Sequence, residues 1–186
     1  MTADEGHLPS PDDPAFRDWL RSLSEILDIA LDADIGTVLE TDLGAPDTLA
    51  FLRTAFARNG AMPALYFAEF LGEHRRTHAE RAVTALLGQV RRDTGRAFDI
   101  PVRYEWPAER EATGQVTVGH EPIHGIGAVG IAVEAAEGVQ CHLADRDRLV
   151  WPLCPTHRTG TRATRTAAGA AWVCRAGAHV VASLPA

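Results

Sequence analysis

The sequence contains no lysine, only three cysteines and no apolar run long enough to cross a membrane. A transmembrane helix needs about 20 consecutive, mostly apolar residues, so this lack predicts a chain without membrane spans. The N-terminal segment MTADEGHLPSPDDP has neither a basic start nor an apolar stretch, and it therefore lacks the features of a secretion signal. We expect a cytoplasmic protein that does not bind membranes.

The cysteines Cys141, Cys154 and Cys174 are too few, and odd in number, for a disulfide framework. In a cytoplasmic protein, such cysteines are metal ligands or simply buried thiols.

Every one of the 18 basic residues is an arginine, and the formal net charge is −7. A negative chain argues against nucleic-acid binding as the main function, because that function favours a basic surface. The C-terminal region nevertheless carries a group of arginines that suit phosphate. They are Arg158, Arg162, Arg165 and Arg175.

Apolar periodicity predicts a helical N-terminal half. Residues 1–13 are acidic and aperiodic, which is typical of a disordered tail. Asp13 and Pro14 form a helix-start signal. An apolar residue then recurs every three or four positions, at Phe16, Leu20, Leu23, Leu27 and Leu31.

Three more helical segments are expected before residue 95. One begins at Pro46 and ends at Asn59 and Gly60, a left-handed stop signal. A short segment follows Pro63, and a separate helix covers residues 73–92, although Gly88 weakens it. Strands are then expected at residues 100–106, 115–118 and 149–153. A helix is expected over residues 126–144, and its buried face would carry Val129, Val133, Ala136 and Val139.

These patterns predict an α+β fold with a mostly helical N-terminal layer and a small β-sheet with one helix. We expect an α+β domain over residues 14–147 and a separate module over residues 148–186.

The C-terminal region contains two short Cys/His pairs, each preceded by a tryptophan. Their segments are Trp151-Pro-Leu-Cys154-Pro-Thr-His157 and Trp172-Val-Cys174-Arg-Ala-Gly-Ala-His179. Zinc takes four tetrahedral nitrogen or sulfur ligands, which two such pairs supply. We call these four residues the Cys/His set: Cys154, His157, Cys174 and His179. Because the set leaves no position open for water, it predicts a structural Zn²⁺ site.

The pattern W-x2-C-P-x-H … W-x-C-x4-H resembles a zinc ribbon, and in particular the ribbon-like tails of uncharacterised proteins from bacteria with GC-rich genomes. The resemblance covers residues 148–184 and implies β-hairpins that clasp a metal, without implying an activity. Classical zinc ribbons use four cysteines, whereas this set has two histidines. Either Cys141 or His142 is an alternative to His179 as the fourth ligand.

A second motif, His120-Glu121-Pro122-Ile123-His124, matches H-E-x-x-H. In zinc peptidases of this type, the two histidines bind the metal from one helix and the glutamate is the general base. Pro122 opposes a helix there, and the preceding residues have the pattern of a strand. The candidate third ligands are Glu134 and Glu137.

Another histidine pair, His74 and His78, lies four residues apart on a predicted helix, where we expect it to face solvent.

We expect a non-enzymatic, metal-stabilised accessory or adaptor protein that binds a protein partner or a second copy of itself. The first alternative is a zinc-dependent hydrolase that uses His120, Glu121 and His124. The second alternative is nucleic-acid binding through the C-terminal arginines.

Overall fold

The computed structural model describes residues 8–27, 46–106 and 114–185. These residues form four helices: α1 (Pro14–Leu27), α2 (Pro46–Asn59), α3 (Ala64–Thr94) and α4 (Ala128–Asp147). They also form six strands: β1 (Val102–Glu105), β2 (Gln115–Val118), β3 (Glu121–Ile123), β4 (Thr161–Thr166), β5 (Gly169–Cys174) and β6 (Val180–Ser183). The expected α+β fold class is confirmed. Most of the predicted N-terminal tail, residues 1–7, lies outside the described ranges.

The predicted start of α1 is confirmed by its capping contacts. The Asp13 carboxylate accepts hydrogen bonds from the N–H groups of Ala15 at 2.8 Å and Phe16 at 3.4 Å. These bonds satisfy backbone donors that have no partner within the helix. The side chain of Leu27 and all of Leu31 lie outside the description. Of the expected stripe, Phe16 and Leu23 are buried and Leu20 is half-buried; Trp19, beside them on the helix, is buried as well.

Helix α2 has the predicted bounds, whereas α3 corrects the prediction of two segments. One continuous helix of 31 residues replaces the short segment after Pro63 and the helix over residues 73–92. Gly72 lies in the first third of this helix, where a Cβ atom would come within 2.5 Å of the Tyr104 hydroxyl oxygen. The glycine is therefore explained by the close approach of β1 rather than by a helix end.

The first sheet has the antiparallel order β1-β2-β3. Val102 pairs with Val118, and Thr117 pairs with Pro122. Helix α4 packs so closely on this sheet that a Cβ atom at Gly138 would lie 2.8 Å from the Val118 side chain.

The predicted inner face of α4 is only half correct. Ala136 and Val139 are buried, but Val129 and Val133 are half-buried. The helix contacts both sheets, so its buried surface is wider than a single stripe. The buried positions are Ile131, Ala135, Ala136, Gly138, Val139 and Leu143.

The second sheet has the antiparallel order β4-β5-β6 and carries the second half of the Cys/His set. Thr161 pairs with Cys174 at one end of the β4–β5 hairpin. Trp151 and Trp172 meet edge to face, with ring centroids 5.5 Å apart. Both rings belong to the hydrophobic core that α3, α4 and the first sheet build. The division into two domains at residue 147 stays a prediction.

Asp47 ties three parts of the fold together. Its carboxylate accepts a hydrogen bond from the N–H of Val129 in the first turn of α4, at 2.9 Å. The other carboxylate oxygen pairs with Arg165 of β4 at 2.7 Å. A carboxylate at a helix N-terminus is favourable, so this contact orients α4 as well as joining α2 to the second sheet. Within the described ranges, no helix has the length and apolar character to cross a membrane.

Candidate metal centre

The fold brings the Cys/His set together. One ligand atom from each of the four residues lies within 4.8 Å of all the others. The set includes His179, whereas the alternatives Cys141 and His142 lie on α4 outside it. Within the described part of the chain, this is the one group of three or more such side chains with metal-binding geometry. These residues can hold a metal ion.

Cys154 and Cys174 each begin a turn, and the two turns have the same pattern of backbone hydrogen bonds. The Cys154 carbonyl accepts a hydrogen bond from the N–H of Arg158 at 2.8 Å, and the Cys154 N–H donates to the Thr159 carbonyl at 2.8 Å. Arg158 has a left-handed φ of 55°. The chain thereby reverses its direction after Cys154, so that Arg158 and Thr159 lie beside this cysteine.

The second turn repeats this pattern at Cys174. Its carbonyl accepts from the N–H of Ala178 at 3.0 Å, its N–H donates to the His179 carbonyl at 2.9 Å, and Ala178 has φ of 49°. The two histidines nevertheless occupy different positions of the turn. His157 is the third residue after its cysteine and His179 is the fifth. Gly177 takes the third position in the second turn.

The distances within the set fit a tetrahedral ion. The Nδ1 atom of His157 lies 3.3 Å from the Cys174 sulfur and 3.6 Å from the Cys154 sulfur. The Nε2 atom of His179 lies 3.5 Å from the Cys154 sulfur. Metal–ligand bonds of about 2.3 Å to sulfur and about 2.05 Å to nitrogen, at tetrahedral angles, give a sulfur–nitrogen separation of about 3.5 Å.

Hydrogen bonding alone accounts poorly for the same contacts. A neutral imidazole nitrogen carries either one proton or one lone pair, yet Nδ1 of His157 faces both sulfurs. A cation between the three atoms satisfies all of them at once. The donor chemistry therefore fits a metal better than it fits a hydrogen-bonded cluster.

The surroundings of Cys174 favour the thiolate, which is the form that binds metal. Burial opposes ionisation, but hydrogen bonds from the backbone N–H groups of Gly177 and Ala176 and from Thr159 outweigh it. Together they lower the pKa of Cys174 from 9.0 to about 6. The Thr159 hydroxyl oxygen lies 3.8 Å from the sulfur. At neutral pH the Cys174 side chain is therefore mostly a thiolate, which can bind a cation.

Sequence reasoning did not identify Thr159. Its hydroxyl belongs to the first turn but contacts the cysteine of the second, so local spacing does not reveal the contact. One signal is present in hindsight: Thr159 is the fifth residue after Cys154, as His179 is the fifth after Cys174.

The two halves of the set differ in exposure. Cys154 and Cys174 are buried, whereas His157 and His179 lie at the surface. Gly177 sits against both imidazoles, since a Cβ atom there would lie 2.7 Å from Cε1 of His157 and 2.8 Å from Nδ1 of His179. A bound ion would have its thiolates inside and its imidazoles toward solvent.

The H-E-x-x-H motif does not form a helix, so the helical arrangement that the hydrolase alternative requires is wrong. His120 lies in a turn, and Glu121 begins strand β3. Pro122 lies in this edge strand, a position where a residue without an N–H is tolerated. The described metal-binding group contains neither His120 nor His124.

The backbone after this motif is held from two sides. The Arg75 guanidinium donates to the carbonyls of His124 at 2.6 Å and Gly125 at 3.0 Å. The Glu134 carboxylate accepts from the N–H groups of the same two residues at 2.7 and 2.8 Å. Glu134, considered above as a third zinc ligand, therefore anchors a turn.

The pair His74 and His78 does not face open solvent as expected, because both side chains are half-buried. His74 stacks on Phe51 with ring centroids 4.0 Å apart, and its Nε2 lies 3.1 Å from the Ile126 carbonyl oxygen. Burial, followed by the charge of His78, lowers the pKa of His74 from 6.5 to about 4. His74 is therefore a neutral packing residue at pH 7.

Cys141 lies on an exposed surface of α4, in a groove of about 350 Å³ that Glu121 and Glu137 also line. Burial, followed by the charges of Glu121 and Asp145, raises the pKa of the Cys141 thiol. The thiol form, which is a poor ligand and a poor nucleophile, is thus favoured.

Comparison of the chain with protein families, with curated proteins and with solved structures found no match.

Proposed function

We propose that this chain is a non-enzymatic adaptor whose C-terminal sheet is stabilised by Zn²⁺ and whose surface binds a protein partner. The observation that carries the proposal is the closed Cys/His set, in which four protein side chains converge on one point. Catalytic zinc sites keep a position for water, whereas structural sites use four protein ligands. The site thus supports a stabilising metal rather than a reacting one.

Zinc is the proposed metal because of the ligand chemistry. Two thiolates and two imidazoles in a tetrahedral arrangement suit a borderline-soft ion with no geometric preference of its own. Carboxylates, which hard cations such as Mg²⁺ and Ca²⁺ require, are not part of the set.

A nucleic-acid role has less support than a protein partner. Arg165, one of the four C-terminal arginines, pairs with Asp47. The charge of this arginine is therefore balanced within the fold and is less available to a phosphate.

The adaptor proposal is tested by affinity capture with the Zn²⁺-loaded full chain, followed by titration of the purified captured protein. We expect a saturable complex at a fixed stoichiometry that the Cys154→Ser variant forms less well, because that variant loses the metal-stabilised sheet. If no protein is retained at low salt, or if the retained protein is consumed as a substrate, the proposal is wrong.

A further inference from the structure

An open groove with aromatic walls lies between α3 and β1, and the proposed metal site does not involve it. The groove has a volume of about 940 Å³. We call it the aromatic groove. Its principal lining residues are Tyr66, Glu69, Phe70, Glu73, Tyr104 and Trp106.

The aromatic floor of the groove is fixed by the fold. Tyr104 lies against two glycines: a Cβ atom at Gly72 would come within 2.5 Å of its hydroxyl oxygen, and one at Gly114 would overlap its ring. The ring of Trp106 meets Tyr104 edge to face, at 6.3 Å between centroids. The Tyr104 ring is therefore held in place before any guest arrives, and Trp106 lies against it.

The charge on the groove is negative. Glu69 and Glu73 line it, and none of the described lining residues is basic. Glu73 pairs with Arg76 at 2.5 Å, and Arg76 also pairs with Glu80 at 2.7 Å. Glu69 has no ion pair within the described ranges, so its carboxylate is the one most available to a guest.

The rings are too exposed for the groove to enclose a small molecule. Tyr66 keeps 67% and Trp106 keeps 53% of its surface in solvent. Small-molecule sites cover most of their ligand's surface, which an open groove does not do. Large exposed aromatic patches of this kind are typical of protein-binding surfaces.

We propose that the aromatic groove binds an arginine-bearing segment of a partner protein, with the guanidinium stacked on the exposed Trp106 ring and paired with Glu69. A guanidinium combines a positive charge with a flat face, so it interacts favourably with aromatic rings and with a carboxylate at the same time. This inference rests on the proposed adaptor function and specifies the chemistry of its partner.

The test uses fluorescence anisotropy with the Zn²⁺-loaded full chain. The probe is a short fluorescein-labelled peptide of alternating glycine and arginine. The control peptide carries citrulline, a neutral side chain of the same shape, in place of arginine. We expect the arginine peptide to bind and the citrulline peptide to bind at least about threefold more weakly.

Two variants locate the binding site. Trp106→Ala and Glu69→Gln should each weaken binding of the arginine peptide about threefold to tenfold. The matched controls are Val180→Ala, another exposed apolar side chain, and Glu25→Gln, another exposed carboxylate, both outside the groove. The control variants should bind as the wild type does.

Equal affinity for the arginine and citrulline peptides would overturn the inference, as would unchanged binding in Trp106→Ala and Glu69→Gln. A dimer of the wild type that Trp106→Ala converts to a monomer would also overturn it, because the occupant would then be a second copy. None of these results depends on capturing a partner, so the adaptor proposal would survive them. Failure to capture any protein would instead overturn the adaptor proposal, whatever the peptides show.

Discussion

Gly177 separates the two imidazole rings of the Cys/His set, and its lack of a side chain decides how they are placed. We expect Gly177→Ala to weaken Zn²⁺ binding about tenfold or more, because the added Cβ would lie 2.7 Å from His157 and 2.8 Å from His179. Competition with a chromophoric chelator measures the affinity.

The control for this substitution is Gly88→Ala. Gly88 lies inside α3, and the nearest contact of a Cβ atom there would be ordinary, 3.6 Å from an Arg92 nitrogen. It should stabilise the fold by about 0.5–1 kcal/mol and leave Zn²⁺ affinity unchanged. Equal affinity in wild type and Gly177→Ala would contradict the described ring positions.

Thr159 provides a second test at the residue scale. Its hydroxyl is one of the groups that hold the pKa of Cys174 down at about 6. Thr159→Val removes that hydrogen bond, so the thiol pKa should rise and protons should displace the metal at a higher pH. We expect the midpoint of Zn²⁺ release to move upward by about half a pH unit to one unit.

Zinc release during acid titration, followed with a fluorescent zinc indicator, measures this midpoint. Thr156→Val is the matched control, because Thr156 is exposed in the same turn. A midpoint that stays in place, or moves to lower pH, would contradict the role of Thr159.

At the scale of elements, α3 shows why a long helix was predicted as two. Buried side chains recur along it every four residues at Phe67, Leu71, Arg75 and Ala79. Arg75 interrupts the apolar pattern in the sequence, but in the fold its guanidinium donates to the carbonyls of His124 and Gly125. Contacts between segments so distant in sequence are invisible to local periodicity.

At β3, by contrast, local chemistry was right to oppose a helix but did not predict the strand that is there. Pro122 removes an N–H and clashes with a preceding helical turn, which argued against a helix through the H-E-x-x-H motif. The structure has a strand from Glu121 to Ile123. A residue with a strong local backbone effect can thus outweigh a matching motif.

The packing of α3 on the turn before α4 predicts a pH dependence. The pKa of His74 is lowered to about 4 in the folded chain from 6.5, so the unfolded chain binds more protons between these values. Stability should therefore be full above pH 6.5 and fall as the pH drops toward 4. Because the His74 ring is only half-buried, solvent screening reduces the loss from this group below the full equivalent of the pKa shift, to roughly 1–2 kcal/mol.

Urea unfolding at pH 7 and pH 5 tests this expectation. His74→Gln keeps a donor for the Ile126 carbonyl but does not titrate, so its stability should change less between the two pH values. His120→Gln, at an exposed histidine, should match the wild type. Equal pH dependence in wild type and His74→Gln would contradict the role of His74.

At the scale of the whole molecule, the second sheet, which carries Cys174, is joined to the helical part by specific contacts. The Gln140 side chain on α4 donates to the carbonyls of Trp151 at 3.1 Å and Thr161 at 3.0 Å. The Trp151 indole N–H donates to Asp93 of α3 at 2.9 Å. Trp151 and Trp172 also belong to the hydrophobic core that α3, α4 and the first sheet share.

Metal removal should therefore affect the entire fold. We expect excess EDTA to lower the melting temperature, with far-UV circular dichroism and tryptophan fluorescence changing in one shared transition. Loss of the tryptophan signal while the helical signal melts as before would show that the sheet unfolds alone.

The sequence predicts the α+β class and the Cys/His set because both depend on short-range patterns. The tryptophans ahead of Cys154 and Cys174 mark the set, but their packing against α3 and α4 depends on contacts such as that between Trp151 and Asp93, which are distant in sequence. The same holds for Asp47, whose links to Val129 and Arg165 appear only in three dimensions.

The most direct test of the central claim is the Zn²⁺ content of the purified wild type, Cys154→Ser and His120→Ala, measured by elemental analysis. We predict about one zinc per chain in the wild type and in His120→Ala, and a loss of zinc and of thermal stability in Cys154→Ser. Zinc retained by Cys154→Ser but lost from His120→Ala would contradict the account.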